Sequence, residues 1–228
     1  MPVYLNLTLC MFLLCASGAV SGPLRRAQIH PAVASMMCLG TMFFSVFEEI
    51  QLLPRLFVNV GGFFFPLAGG ALLLAQGPRG KRRYLAAFIA LTALIGYLTS
   101  QVAADLTDVW FHGAPWIAFA ACIVSGALFC GEHHGALLCA VLGYYATGVM
   151  QYLFIVLPQG WTTLTLGGGA DALPCVLIFP VTLALCEGGR LLSGAFRKRS
   201  ARKAAAPPKK TQSGDMPPVT PQTEHQSA

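Results

Sequence analysis

The chain has 228 residues, of which 55% are hydrophobic and only 11% are charged, and its formal net charge is +6. Soluble domains carry about 25% charged residues, so this composition excludes an ordinary soluble globular protein. The basic residues cluster beside apolar runs, at 79–83 and 197–210, which is typical of membrane orientation and not of nucleic-acid binding. We therefore expect a protein whose main partner is the lipid bilayer and which does not bind nucleic acid.

Seven apolar segments approach or reach the length of about 20 residues that a helix needs to span a membrane. Segments 31–47 and 114–130 are near the lower limit, so each either crosses the membrane or re-enters on the same side. The sequence predicts an all-α, polytopic transmembrane helical bundle of six or seven spans within residues 1–196. The seven segments are 2–20, 31–47, 56–76, 84–104, 114–130, 135–157 and 173–192.

The distribution of basic residues predicts the orientation of this bundle. With the N-terminus outside and seven spans, only Arg55 of the 15 Lys and Arg residues falls on the outer side. The C-terminus is then cytoplasmic, and we expect a multi-pass protein of a prokaryotic plasma membrane. The first segment has an alternative interpretation as a cleaved signal peptide, but Arg25 and Arg26 follow the apolar run instead of preceding it.

The composition changes after Phe196. Residues 197–228 are rich in Lys, Pro, Gln, Ser and Thr and have few large apolar side chains, which is typical of a disordered segment. We expect a disordered basic cytoplasmic tail. Its Lys and Arg side chains would contact the anionic lipids of the inner leaflet, with an alternative role as a determinant of orientation only.

The third segment carries an unusual set of helix-interrupting residues. Asn59 precedes the pair Gly61-Gly62, and Pro66 follows within one turn. A proline removes a helical hydrogen bond, so a straight helix is not expected here. The segment is either a broken helix whose polar backbone groups line a solute or ion site, or a helix whose small residues allow close packing.

A second interruption lies between segments six and seven. Gln151 places an amide in an apolar span, and Gly168 and Gly169 belong to a glycine run that ends at Asp171. Asp171 either caps the last helix or acts as a functional acid near the membrane. We predict that Asn59 and Asp171 lie in one region at the outer half of the membrane, with Asp171 as the partner of a cation or proton.

Three further residues are candidates for a metal or proton site. Asp105, Asp108 and His112 share one face if the fourth helix continues past Ala104. Two carboxylates and an imidazole can bind a divalent cation or relay protons. The alternative is that they are solvated at the end of the helix.

The loop after segment five offers another set of metal-binding residue types. Cys130, His133, His134 and Cys139 include ligands that zinc prefers, but their spacing matches no recognised zinc motif. The simpler interpretation is a short cytoplasmic loop in which both histidines are solvated. Near the end of the last segment, the spacing of Glu187 and Arg190 predicts an ion pair.

Enzyme signatures with a known mechanism are absent from the sequence, including the nucleophile elbow, the zincin motif and the P-loop. The run Gly-Gly-Gly-Ala-Asp at 167–171 is one residue out of register with the Gly-x-Gly-Asp setting of intramembrane aspartyl proteases. A membrane-embedded aspartyl hydrolase is therefore a remote alternative. We expect no cofactor, and we lean towards a protein that is not an enzyme.

The run Val-Asn-Val-Gly-Gly at 58–62, with Pro66 and a basic loop after it, resembles the opening motif of an uncharacterised prokaryotic family of multi-pass membrane proteins. The glycine run before Asp171 is similar to the end of the same domain of unknown function. The resemblance covers about 56–187 and departs from the family where Gln151 or a neighbour replaces an expected Asp. It implies a shared fold and carries little information on function.

Two classes of function remain open from the sequence. In the first, the protein transports or binds a small solute or ion at a site between its broken helices. In the second, the protein is a non-catalytic structural or assembly partner, whose small residues serve only for packing in a larger membrane complex.

Overall fold

The computed structural model describes residues 3–76, 79–106, 114–160 and 163–205 of the chain. Most of these residues are helical, as the apolar segments predict. The described helices are α1 (Val3–Ala16), α2 (Ser21–Arg26), α3 (Pro31–Phe44), α4 (Phe65–Gln76), α5 (Arg79–Leu106), α6 (Ala114–Phe129), α7 (His133–Gln151), α8 (Leu157–Gln159) and α9 (Ala172–Ala205).

Three short irregular helical turns adjoin these helices and mark where the backbone departs from a regular α-helix. A π-helical turn at Val60–Phe64 leads into α4, and another at Tyr152–Val156 connects α7 to α8. A turn of 3-10 helix at Gly169–Asp171 leads into α9. The predicted interruptions in segment three and before segment seven therefore lie at helix beginnings.

A small sheet corrects the prediction of an all-α fold. Strands β1 (Ile50–Leu53) and β2 (Leu56–Val58) form an antiparallel hairpin, and β2 pairs in parallel with β3 (Leu164–Leu166). The turn of the hairpin contains Arg55, whose φ of 67° lies in the left-handed region. Residues 56–58, which we predicted as the start of a helix, belong to β2. Apolar runs this short do not distinguish a strand from a buried helix by periodicity.

The lengths of the helices bear on how many cross a membrane. In the described part of the chain, three helical stretches are long and apolar enough to do so: Gly80–Val102, His133–Gln159 and Ala172–Phe196. The remaining apolar helical stretches have 10–17 residues each. At 1.5 Å per residue they reach at most about 26 Å, less than the hydrocarbon core of about 30 Å. The long helices are those of predicted segments four, six and seven.

Helix α7 forms the centre of the core. Its residues from His134 to Tyr145 are buried without a break, and it packs against α4, α5 and α6. Small residues permit this close approach, since a Cβ added at Gly126 of α6 would lie 2.9 Å from the Ala136 carbonyl oxygen of α7. This buried stretch of α7 therefore holds its polar groups, such as the hydroxyls of Tyr144 and Tyr145, in a protein environment.

The residues from Leu191 onward form a separate compact unit, of which the structure describes the helical stretch to Ala205. The last helix thus continues nine residues past the boundary at 196 that the composition predicts. The predicted disordered tail otherwise lies at 206–228, outside the described residues.

Candidate functional site

The two glycine runs that the sequence singles out meet at the sheet. The Asn59 amide N–H donates to the Leu166 carbonyl oxygen at 2.9 Å, which extends the pairing of β2 with β3. A Cβ at Gly62 would overlap the backbone of Gly167, so the two backbones are in direct contact. Positions about 100 residues apart in the chain therefore lie in one region, the sheet end of the bundle.

The side chain of Asn59 is fully engaged in holding this region together. Its Oδ1 accepts from the Gly62 N–H at 3.0 Å, which caps the π-helical turn before α4. Its Nδ2 lies 3.4 Å from the carbonyl oxygens of Ser45 and Phe47, beyond the end of α3. Asn59 is only 6% exposed. It acts as a cap and a tether, and it does not line the cavity described next.

A small cavity of about 20 Å³ lies beside Asp171. The Tyr144 hydroxyl of α7 lies beside the Asp171 carboxyl group in the wall of this cavity. Burial raises the pKa of Asp171 to about 7, and the neighbouring Tyr144 hydroxyl, which favours the ionised form, opposes that rise. The other residues lining the cavity come from α6, α7, β3 and α9: Pro115, Ala118, Tyr145, Thr147, Gly148, Gln151, Leu166, Gly167 and Cys175.

Tyr145, next to Tyr144 in α7, connects the cavity to the other glycine run. Its hydroxyl donates to the Gly62 carbonyl oxygen at 2.6 Å, and its ring packs edge-on against Phe63 at 5.3 Å between centroids. Tyr145 and Cys175 of α9 both line the cavity. Two adjacent tyrosines thus hold the start of α4 and the start of α9 against the central helix.

The remaining predicted site residues occupy different positions around Asp171. Gln151 lines the cavity, and its Nε2 donates to the buried Ser100 hydroxyl at 3.0 Å. Gly168 is buried, and a Cβ there would overlap the Glu49 carboxylate. Gly169 is exposed, with a φ of +52° and open space around its Cα. The structure therefore places Gln151 at the cavity and the two glycines in the loop that leads to Asp171.

The size and lining of the cavity restrict what it can hold. A single water needs about 10–15 Å³ of such volume, so a cavity of about 20 Å³ fits one water or a small ion and no organic molecule. A carboxyl group that titrates near neutral pH, with a tyrosine hydroxyl and a glutamine amide beside it, can take up and release a proton under physiological conditions. The arrangement is therefore suited to proton binding.

The predicted Asp105 site falls on a part of the chain that the structure does not cover. Asp108 and His112 lie outside the described residues, and of Asp105 only the backbone, within α5, is described. Among the described residues, no group of three or more His, Cys, Asp and Glu side chains is placed to hold a metal ion.

The loop before α7 differs from the predicted solvated loop. His134 is buried, with its Nδ1 3.0 Å from the Ala27 carbonyl oxygen, and the Sγ atoms of Cys130 and Cys139 are 3.5 Å apart. His133 lies 3.3 Å from the Glu187 carboxylate and is mostly buried. His133 contacts Glu187 of α9, and His134 contacts the Ala27 carbonyl oxygen just after α2. The sequence does not encode these tertiary contacts locally.

Glu187 links three helices at this opposite end of the bundle. The predicted ion pair with Arg190 is confirmed, with 3.1 Å between Nε and Oε2. The same carboxylate pairs with Arg26 of α2. These partly exposed pairs contribute little stability individually.

Tyr144 and Cys175 are site residues that the sequence does not distinguish from core residues. The sequence shows polar groups within segment six, but only the packing of α7 against α9 selects Tyr144 as the partner of Asp171. Comparisons with protein-family models, with curated proteins and with solved structures find no match to this chain. The Asp171 cavity is therefore the feature on which a proposal of function rests.

Proposed function

We propose that the chain is an integral membrane protein that transports or binds a small solute or ion between its interrupted helices, and that Asp171 binds a proton in this process. One observation carries the proposal: the partly buried Asp171 carboxyl, with the Tyr144 hydroxyl beside it, borders a cavity the size of one water. Ionisable groups placed at the edge of a membrane-embedded core are costly and are typical of proton pathways.

The irregular helical turns around the cavity support the same proposal. The π-helical turn at Tyr152–Val156 follows Gln151, and the turn of 3-10 helix at Gly169–Asp171 carries the carboxyl group itself. π-helical turns are frequent at functional sites, and interrupted helices expose backbone polar groups to bound ions. Asn59 and Tyr145 then serve as residues that position the loop at Asp171.

Proton transfer can be tested with the purified chain in liposomes that contain a pH-sensitive dye. We expect an imposed potential to drive proton flux through the wild-type protein, and Asp171→Asn to abolish it because the amide does not titrate. Glu132→Gln is the matched control, since Glu132 is exposed and pairs with Lys81 at the opposite end of the bundle. Equal flux through wild type and Asp171→Asn would contradict a role for Asp171.

The same proposal covers the membrane in which the protein lies, the family to which it is related and the role of its C-terminal tail. We propose a prokaryotic plasma membrane, the N-terminus outside, six or seven spans and kinship with the uncharacterised family that the 58–62 motif resembles. The basic tail at 197–228 would bind anionic inner-leaflet lipids, each basic residue contributing about 1 kcal/mol near the surface. A tail peptide that fails to bind phosphatidylserine vesicles at low salt would reduce the tail to a determinant of orientation.

A role as an assembly partner is the second candidate, and the edge of the sheet favours it. Strand β1 lies at the edge, and its residues Ile50 to Leu53 are all exposed. Apolar edge strands are sites where another chain can pair. Isolation of a stable membrane partner that is lost in Leu52→Lys and kept in Asp171→Asn would favour this second function.

A further inference from the structure

A second and much larger cavity lies between the helices, and Asp171 is not among the residues that line it. Its volume is about 400 Å³, within the range of about 300–1,000 Å³ that is usual for small-molecule sites. Residues of α1, α3, α4, α7 and α9 line it, and most of them are apolar. Pro66, which the sequence singles out in segment three, and Gly69 of α4 form part of its wall.

The cavity has a closed back and an apolar opening. Leu138 of α7 and Ile178 of α9 line the back and are each 1% exposed. Val33 of α3 and Leu72 of α4 also line it, but they are 54% and 60% exposed. Since α3 and α4 are apolar helices, their exposed side chains open the cavity sideways towards lipid. An apolar molecule can therefore enter from the bilayer without crossing water.

Three exposed polar side chains line one end of the cavity, and the buried Thr8 and Thr41 are the hydroxyl-bearing residues of its lining. Gln28 and His30 precede α3, and Gln76 ends α4, so all three lie at the end opposite the sheet. His30 Nδ1 accepts from the Ala32 N–H, while its Nε2 makes no hydrogen bond within the described part of the chain. No Lys, Arg, Asp or Glu is among the described residues that line the cavity. The lining at this end offers neutral hydrogen-bonding groups, while the Arg82 guanidinium donates to the Ala75 carbonyl oxygen beside Gln76.

We propose that this cavity binds a single-chain amphiphile from the membrane, with a linear apolar tail and a small hydrogen-bonding head. The tail would lie between Leu138, Ile178 and the exposed Val33. The head would receive hydrogen bonds from Gln28, His30 and Gln76. A fatty acid and a fatty alcohol share this chemistry, and their relative affinities report whether a negative charge on the head contributes.

The proposal goes beyond proton binding at Asp171 and does not depend on it. Cys175 of α9 lines both cavities, so a single side chain borders each of them. The two sites are adjacent but chemically distinct, since one fits a water and the other an acyl chain.

Binding of cis-parinaric acid, a fluorescent linear fatty acid, to the purified chain in amphipol tests the proposal. We expect saturable binding of one molecule per chain, with displacement by palmitate and by hexadecanol. Ala34→Phe fills the cavity from α3, where Ala34 is buried in its wall, and should weaken binding about tenfold or more. Ala90→Phe, at an exposed site on α5, is the matched control and should leave the affinity unchanged.

Val141→Phe fills the same cavity from α7, and it is the substitute variant for the binding measurement if Ala34→Phe does not fold. His30→Asn keeps a capping oxygen for Ala32 but removes the imidazole, so we expect it to weaken binding less than the filling variants. Unsaturable binding, or equal affinity in the wild type and both filling variants, would overturn the proposal. A dimer that is lost in Ala34→Phe, without any binding of cis-parinaric acid, would show instead that a second copy covers the cavity and would also overturn it.

Discussion

The carboxyl group of Asp171 differs from that of an ordinary residue at the start of a helix. A carboxylate at a helix start is ordinarily stabilised by the helix dipole and by backbone N–H donors. Here burial dominates, and the pKa of Asp171 rises to about 7 although the Tyr144 hydroxyl beside it favours the ionised form. A pKa in this range predicts that the carboxyl group gains and loses its proton near neutral pH.

The raised pKa of Asp171 predicts how stability depends on pH. The folded chain holds this proton more tightly than the unfolded chain, so the free energy of unfolding decreases as the pH rises from about 4 to about 7. Between about pH 5 and about pH 8 we expect the thermal midpoint of the wild type to fall by several degrees relative to Asp171→Asn, since about 1 kcal/mol corresponds to roughly 2–4 °C. Thermal unfolding in detergent measures the difference, and parallel curves for the two proteins would contradict it.

Gly62 provides a second test at the level of a single residue. An added Cβ would overlap the Gly167 backbone, which has no flexible side chain to move away. We expect Gly62→Ala to lower the free energy of unfolding by about 2 kcal/mol or more. Gly189→Ala is the matched control, because open space surrounds this exposed position in α9 and the helix should gain up to about 1 kcal/mol. Equal effects at both positions would refute the backbone contact between the glycine runs.

At the scale of elements, the sheet determines which helix beginnings meet. Pairing of β2 with β3 brings the start of α4 to the start of α9, and Tyr145 of α7 bonds to the Gly62 carbonyl oxygen between them. Three strands of three or four residues therefore organise the sheet end of a helical bundle. Without this pairing, the glycine loop before Asp171 would have no fixed position over the cavity.

The Asn59 side chain joins these elements in two ways: it caps the turn before α4, and it bonds to the chain after α3. Two substitutions of Asn59 distinguish the contributions of these two roles to stability. Asn59→Ala loses both functions, so we expect a loss of about 2–3 kcal/mol. Asn59→Ser retains a capping oxygen but not the amide that reaches Ser45 and Phe47, and should lose less. Chemical denaturation of the three proteins measures the order. Wild-type stability of Asn59→Ala would contradict the hydrogen bonds to Asn59.

The sequence predicts the helical elements well and the sheet not at all. Hydropathy places the helices because a long apolar run has one favourable structure in lipid. The sequence does not predict the strands at 50–58, because the pairing of β2 with β3 depends on residues more than 100 positions away. The joint location of Asn59 and Asp171 follows from their helix-end positions, whereas the partner of Asp171 follows only from the packing of Tyr144.

At the scale of the whole molecule, the lengths of the helices and the apolar segments of the sequence give different numbers of spans. Three described helices are long enough to cross, while the sequence predicts six or seven spans. In the predicted topology, short helices such as α1 and α3 would cross only where the bilayer is locally thinned.

Labelling of single cysteines tests the orientation directly. In a background without the native cysteines, we expect Gly80→Cys and Asp215→Cys to react only from the cytoplasmic side with a membrane-impermeant maleimide. The physical reason is that the basic residues around both positions resist translocation. Reaction of the two cysteines from opposite sides would mean an odd number of spans between them and would refute the predicted topology.

The central claim is that Asp171 carries a proton that it exchanges near neutral pH. Infrared difference spectroscopy of the purified chain, titrated from acid to alkaline pH, detects the carbonyl stretch of a protonated carboxyl group. We expect one carboxyl band that disappears with a midpoint near the pKa of about 7, and that is absent in Asp171→Asn but present in Glu132→Gln. Loss of every protonated carboxyl band in the acid range, with identical spectra for the wild type and Asp171→Asn, would contradict the claim.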